Sequence, residues 1–173
     1  MAEVPGDPDP AEPAGVPLVV ALGNVLRGDD GAGAAALSLL SARGLDSRAR
    51  LLQRAQVLPE LAEDVARASL LVLIDARADA PPGQVDLQEI GRGSPLPAPF
   101  SHDVPPGALL ALSAFLFGQA PRGFSATIGG AAFDPGEGLS PEVAASLPSL
   151  CDAVESLLAS AAAGNLRIPT SQA

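Results

Sequence analysis

The sequence predicts an α/β fold, three layers α/β/α around a largely parallel central sheet, and three observations lead to it. Residues 16–22 and 70–74 are apolar at nearly every position, as strands covered on both faces are. Segments of strand character alternate with segments of helical character along the chain, and turn residues such as Gly23-Asn24 and Gly44 punctuate them. In order, residues 16–22 are a central strand ended by Gly23-Asn24. After a loop to Asp30, residues 31–41 are rich in Ala and Leu and stopped by Gly44, which predicts a helix. Residues 48–53 are a weaker strand candidate. Pro59 suits the first position of a helix over 59–68, whose Glu60, Glu63 and Asp64 complement its positive end. Residues 70–74 form the second doubly buried strand, and 84–90 alternate polar and apolar as a half-exposed edge strand does. A helix over 105–117, a strand over 124–128 and a closing helix over 141–163, with an interruption expected at Pro148, complete the domain. Residues 1–15, rich in Pro, Asp and Glu, are expected to be a disordered tail, 16–163 a single domain and 164–173 a flexible C-terminal tail. The sequence holds no internal repeat.

Composition removes several functions. A chain of 173 residues with 47% hydrophobic content can bury one sizeable core. Ten basic residues against 20 acidic ones give a formal charge of −10, so phosphate backbones are repelled and nucleic acid is excluded as a principal ligand. Every basic residue is Arg; without Lys there is no Schiff base, no Walker-type lysine and no Ser–Lys dyad. Trp and Tyr are absent and only five Phe occur, too few for a stacking platform. A single Cys excludes an intramolecular disulfide and a cysteine zinc site, and suits a reducing, cytoplasmic setting. The first 14 residues lack the basic and apolar regions of a secretory signal, and the apolar stretch 107–118 falls short of the roughly 20 residues of a membrane span, so a soluble protein with no membrane partner is expected.

In a parallel sheet the ligand site lies beyond the carboxyl ends of the strands. Three features fall there: the glycine-rich stretch 23–33 with Asp29 and Asp30, Asp75, and Ser101-His102-Asp103. Gly23 and Gly28 have the spacing that opens a Walker loop, but Asp29-Asp30 stands where Lys-Ser/Thr is required, and no acid ends the second strand to hold a ribose. No nucleotide is expected. Asp75 directly follows a buried apolar run, where an ionised carboxylate needs water, a hydrogen-bond donor or a metal. His102 is the only imidazole in the chain. Asp30, Asp75 and His102 together make a mixed oxygen and nitrogen set suited to zinc, nickel or a similar divalent ion with open positions. Each has a plainer reading beside it: helix-capping carboxylates at Asp29 and Asp30, a turn carboxylate at Asp75, a surface histidine at His102. Nucleophilic catalysis has little support, because no Gly-x-Ser-x-Gly elbow occurs and Cys151 sits in an amphipathic helical pattern as a core thiol.

The stretch Leu22 to Gly33, reading Leu-Gly-Asn-Val-Leu-Arg-Gly-Asp-Asp-Gly-Ala-Gly, resembles the signature of the nickel-iron hydrogenase maturation endopeptidases. The resemblance continues through Leu-Val-Leu-Ile-Asp75-Ala, Ser101-His102 with the apolar helix after it, Ile128-Gly-Gly, and residues 138–143, and so covers 18–158. It implies a cytoplasmic peptidase that removes the C-terminal extension of a hydrogenase large-subunit precursor after nickel insertion. Matched residue by residue, the family's metal-site acid in the glycine loop falls on Asp30, its second acid on Asp75 and its histidine on His102. Relatives often carry Glu at the loop position, one methylene longer than Asp30. Where many members have a Gly-Gly-Thr-like turn this chain has residues 53–61, a variant that resembles the proteases serving soluble, NAD-reducing hydrogenases. Two mechanisms fit: the ligands grip nickel carried by the precursor, or a resident metal activates water, with Asp29 or Asp103 as candidate acid or base. The alternative function is a non-catalytic docking or escort protein for a metalloenzyme precursor.

Overall fold

The computed structural model describes residues 15–91 and 104–166. Five strands form one sheet: β1 (Leu18–Leu22), β2 (Arg50–Arg54), β3 (Leu70–Arg77), β4 (Val85–Glu89) and β5 (Arg122–Gly129), in the order β2-β1-β3-β5-β4. Every pairing is parallel except the antiparallel edge pair of β4 and β5. Four helices cover it: α1 (Ala32–Ala42), α2 (Leu61–Ala66), α3 (Pro106–Phe117) and α4 (Pro141–Ala162). The expected α/β class with a largely parallel sheet is the observed one.

Alternation along the central strands builds the two outer layers. Val19, Val72, Ile74, Phe124, Ala126 and Ile128 point to one face, where Ala36 and Leu40 of α1 and Val143, Leu150, Val154 and Leu157 of α4 bury them. Leu18, Val20, Leu22, Leu71 and Leu73 point to the other, under Leu61 and Val65 of α2 and Ala108, Leu109 and Leu110 of α3. β1 is buried at all five positions, which is why it reads as a continuous apolar run. Each such Leu, Ile or Phe contributes about 1.5–3 kcal/mol over its exposed state. Across the α1–α4 seam, Arg43 pairs with Asp152 at 2.7 Å and Glu155 at 2.8 Å.

Several boundaries differ from those expected. β3 does not stop at Ile74: Asp75, Ala76 and Arg77 continue the ladder against Thr127, Ile128 and Gly129 of β5. β1 begins at Leu18 rather than at Val16, and β2 runs from Arg50 to Arg54 rather than over 48–53. α2 is shorter than 59–68, because the chain first makes a turn in which the N–H groups of Leu61 and Ala62 donate to the carbonyls of Leu58 and Pro59. α4 runs unbroken through Pro148. The proline lies on the solvent face with Ala144, four residues earlier, so the carbonyl it leaves without a helical partner faces water. The expected tails fall outside the described residues except for Gly15 and residues 164–166. Among the described residues no helix is long and apolar enough to cross a membrane.

Candidate active site

The carboxyl end of β1 leads into the glycine-rich loop, and its conformation is set by close approach. Gly23 has φ 109°, and a Cβ there would run into the carbonyl of Asp30, so only glycine lets the loop close on itself. The loop then curls back: the Asn24 side chain accepts the Leu26 N–H at 3.0 Å, and the Asp30 carboxylate accepts the Asn24 N–H at 2.8 Å. A 3-10 turn, Gly28–Gly31, delivers the chain into α1. Gly33 in its first turn packs so tightly on the sheet that a Cβ would stand 2.5 Å from the Leu22 carbonyl oxygen. This is the close backbone approach that four glycines in eleven residues implied.

Adjacent in sequence, Asp29 and Asp30 part company in space. Asp29 is fully buried and reaches across to the 131–140 loop. Its carboxylate accepts N–H groups of Ala131 at 2.7 Å, Ala132 at 3.0 Å and Ser140 at 2.7 Å. Burial works against its ionisation, but the N–H donors of Ser140, Ala131 and Ala132 outweigh it and hold the carboxyl below its usual pKa. Both oxygens are engaged, so Asp29 anchors the 131–140 loop to the glycine-rich turn. Neither aspartate caps α1: its N-cap is Gly31, with no side-chain cap bond. Both plainer readings of the pair as helix caps are thereby corrected.

Asp30 faces the opposite way, into a cleft of about 430 Å³ that it shares with Asp75. Asp75 enters from the carboxyl end of β3, on the strand face that carries Leu71 and Leu73, and is half-buried. One of its oxygens accepts the Ala76 N–H at 2.8 Å. Leu22 and Gly23 line the cleft from β1, Ala55, Gln56 and Val57 from the end of β2, and Val104, Pro105 and Pro106 from the start of α3. The first turn of α3 brings its positive dipole end to this rim, favouring negative charge there. The cleft therefore offers two oxygen donors suited to a divalent cation, at the carboxyl ends of parallel strands. Among the described residues no three His, Cys, Asp or Glu side chains converge on one point. His102, with Ser101 and Asp103, lies outside the described residues; the described chain resumes at Val104, which is buried and lines the cleft.

Cys151 is remote from the cleft, in the core beneath α4, where its thiol donates to the Ala36 carbonyl at 3.6 Å. Burial pushes it up to about 11, which makes it an inert core thiol, as its helical pattern indicated. Gln56 and Val57 on the cleft wall belong to the 53–61 stretch that the sequence marks as a variant turn, whereas the wall at Pro105 and Pro106 was missed. The double proline before α3 is the signal that could have found it.

This fold is shared with solved structures of hydrogenase maturation endopeptidases, and three are among those that match the chain. The hydrogenase maturating endopeptidase HybD from E. coli matches with a TM-score of 0.62 and 22% identity, over 86% of this chain and 94% of that one. The [NiFe] hydrogenase maturation protease HybD from Thermococcus kodakarensis matches at 0.63 and 25%, over 83% and 99%. The [NiFe] hydrogenase maturation protease HycI from Thermococcus kodakarensis matches at 0.65 and 16%, over 83% and 92%. No protein-family profile matches the chain. No curated protein matches it either.

Proposed function

We propose that this protein is an endopeptidase that removes the C-terminal extension of a nickel-loaded hydrogenase large-subunit precursor, acting in the cytoplasm. The observation that bears most weight is the meeting of Asp30 and Asp75 in one cleft at the carboxyl ends of β1 and β3. They are the two acids that both the chemistry of the sequence and the family signature single out. In this reading nickel arrives as part of the substrate. The carboxylates of Asp30 and Asp75, joined by the His102 imidazole, complete the coordination of the ion and so anchor the precursor, which fixes the scissile peptide bond in the cleft. Holding substrate and cleft in one geometry replaces an encounter between them, and that entropic gain is the main contribution these residues make. No nucleotide takes part: two carboxylates in the glycine loop repel phosphate.

The test is a processing assay on precursor prepared with and without nickel, read as a mobility shift on a gel. Cleavage of the nickel-loaded form alone is expected. Equal cleavage of both forms would replace substrate-borne nickel with a resident catalytic ion, and binding without cleavage would turn the protein into an escort.

A further inference from the structure

The sheet leaves one edge open beside the cleft. Among the described residues β2 is an outer strand with β1 as its only neighbour. The Arg50 N–H donates to the Pro17 carbonyl at 2.8 Å, and the parallel register pairs Arg50 with Leu18. In a parallel pair that geometry turns the main-chain groups of Arg50, Leu52 and Arg54 toward β1 and those of Leu51 and Gln53 outward. Among the described residues the outward groups have a single partner, the Arg54 guanidinium on the Gln53 carbonyl at 2.7 Å. A trough runs alongside, between β2 and α1. Two adjoining cavities of about 350 and 430 Å³ form it, sharing Ser38; Gln53, Ala35 and Val25 line the upper, Leu37 and Leu51 the lower. The upper cavity ends against Gly28 and Gly31 of the loop whose other side, at Gly23 and Asp30, walls the cleft. β2 itself runs directly into Ala55, Gln56 and Val57 on the cleft wall.

We propose that the outer edge of β2 is the docking strand for the precursor's peptide: an extended segment next to the scissile bond pairs with Leu51 and Gln53, sets alternate apolar side chains in the trough and enters the cleft beside Asp30. The occupant follows from the chemistry. Alternating outward N–H and C=O groups are matched by another extended main chain, and a trough walled by Val25, Ala35, Leu37 and Leu51, with Ser41 and Asp46 at its lower end, accepts every second side chain of it. The strand is continuous with the cleft, so a segment held there is already threaded toward it. Charge agrees. Arg43, Arg48, Arg50, Arg67, Arg77 and Arg122 all pair with carboxylates, whereas Arg27 in the glycine loop and Arg54 at the cleft end of β2 have no carboxylate partner among the described residues, so an acidic group on a segment along β2 has the Arg54 cation to meet. This docking rests on the endopeptidase reading and adds the surface that selects the substrate.

Two variants test it with full-length protein and nickel-loaded precursor. Gln53→Pro removes an outward N–H while leaving the inward pairing of Arg50, Leu52 and Arg54 with β1, since proline is tolerated where the N–H of an edge strand faces solvent. Ala35→Phe fills the trough from α1 without touching the strand. Each is expected to raise KM about tenfold, the worth of one or two lost hydrogen bonds or apolar contacts, with kcat within about twofold and the melting transition retained. Unchanged KM in Ala35→Phe, with its melting transition retained, overturns the docking while leaving the endopeptidase reading intact. Failure of the unaltered protein to process the precursor rejects that reading instead. Edge-to-edge pairing of two copies is the rival occupant. A concentration-dependent dimer at assay concentrations that Ala35→Phe abolishes, with KM unchanged, assigns the edge to self-association and overturns the proposal.

Discussion

Replacing Asp29 tests whether the first acid of the pair is an anchor. Its carboxylate holds buried N–H groups of Ala131, Ala132 and Ser140, at separations of 102, 103 and 111 residues along the chain. Asp29→Ala orphans all of them in a site with no solvent exposure. At about 1–3 kcal/mol per orphaned group, with partial relief as the loop relaxes, a loss of about 3–5 kcal/mol is expected. A carboxylate acting only as a first-turn helix residue would cost about 0.5–2 kcal/mol. Asp29→Asn keeps the shape but sets an amide N–H₂ against one of the donors, so about 1–3 kcal/mol is expected, with processing retained. The pH dependence has a definite sign. The carboxyl is held below its usual pKa in the folded state, so in mild acid the unfolded chain binds the proton first and stability falls as pH falls through the folded value. Above the ordinary carboxylate pKa the contribution is fully present; in Asp29→Asn the acid-side slope is shallower than in the parent. Urea unfolding between about pH 3 and 7 measures both quantities. An Asp29→Ala protein within about 1 kcal/mol of the parent, or superimposable pH slopes for parent and Asn variant, refutes the anchor.

The remaining expectations concern the cleft and the core. If the proposed nickel grip holds, Asp30→Asn, Asp75→Asn and His102→Ala should each stop processing while the melting temperature stays within a few degrees, because each would remove a metal donor and little packing; a fully active His102→Ala protein removes it from the site. Gly33→Ala should destabilise by about 1–3 kcal/mol in thermal or urea unfolding, since its Cβ would meet the Leu22 carbonyl oxygen at 2.5 Å and the Ile74 carbonyl oxygen at 3.1 Å. Cys151, buried and raised to about 11, should resist thiol-alkylating reagents at neutral pH in the folded protein and react once it is unfolded in urea.

The parts of the fold legible in the sequence are those where burial on both faces writes itself as composition. β1 and the first five residues of β3 are buried at every position, and both were read as central strands. The rest of β3 was not, because Asp75, Ala76 and Arg77 owe their strand conformation to the ladder with Thr127, Ile128 and Gly129 rather than to their own propensities. Pro148 misled for a related reason. A helix-breaking residue is judged by what it removes, and on the exposed face of a long helix water restores what proline takes away.

The candidate site was legible at Asp75 because a carboxylate at the end of a buried strand is costly unless something offsets it, and at Asp30 through the glycine-rich loop and the signature it resembles. By residue type alone Asp29 is as good a candidate as Asp30, in the same loop and with the same side chain. What separates them is a half-turn of backbone at Gly28–Gly31, and that turn is fixed from outside the loop. The Gly28 N–H donates to the Gly136 carbonyl at 2.9 Å and the Asp29 N–H to the Ala132 carbonyl at 2.8 Å. The 131–140 segment takes Asp29 for its own N–H groups, and the neighbouring residue is thereby turned toward the cleft. One aspartate holds the loop and the other is left on the cleft, a division set by contacts more than 100 residues apart in sequence. Local spacing cannot encode this division: only the family signature separates Asp30 from Asp29 in the sequence, and the tertiary contacts give its physical reason by burying Asp29 against the 131–140 segment and leaving Asp30 on the cleft.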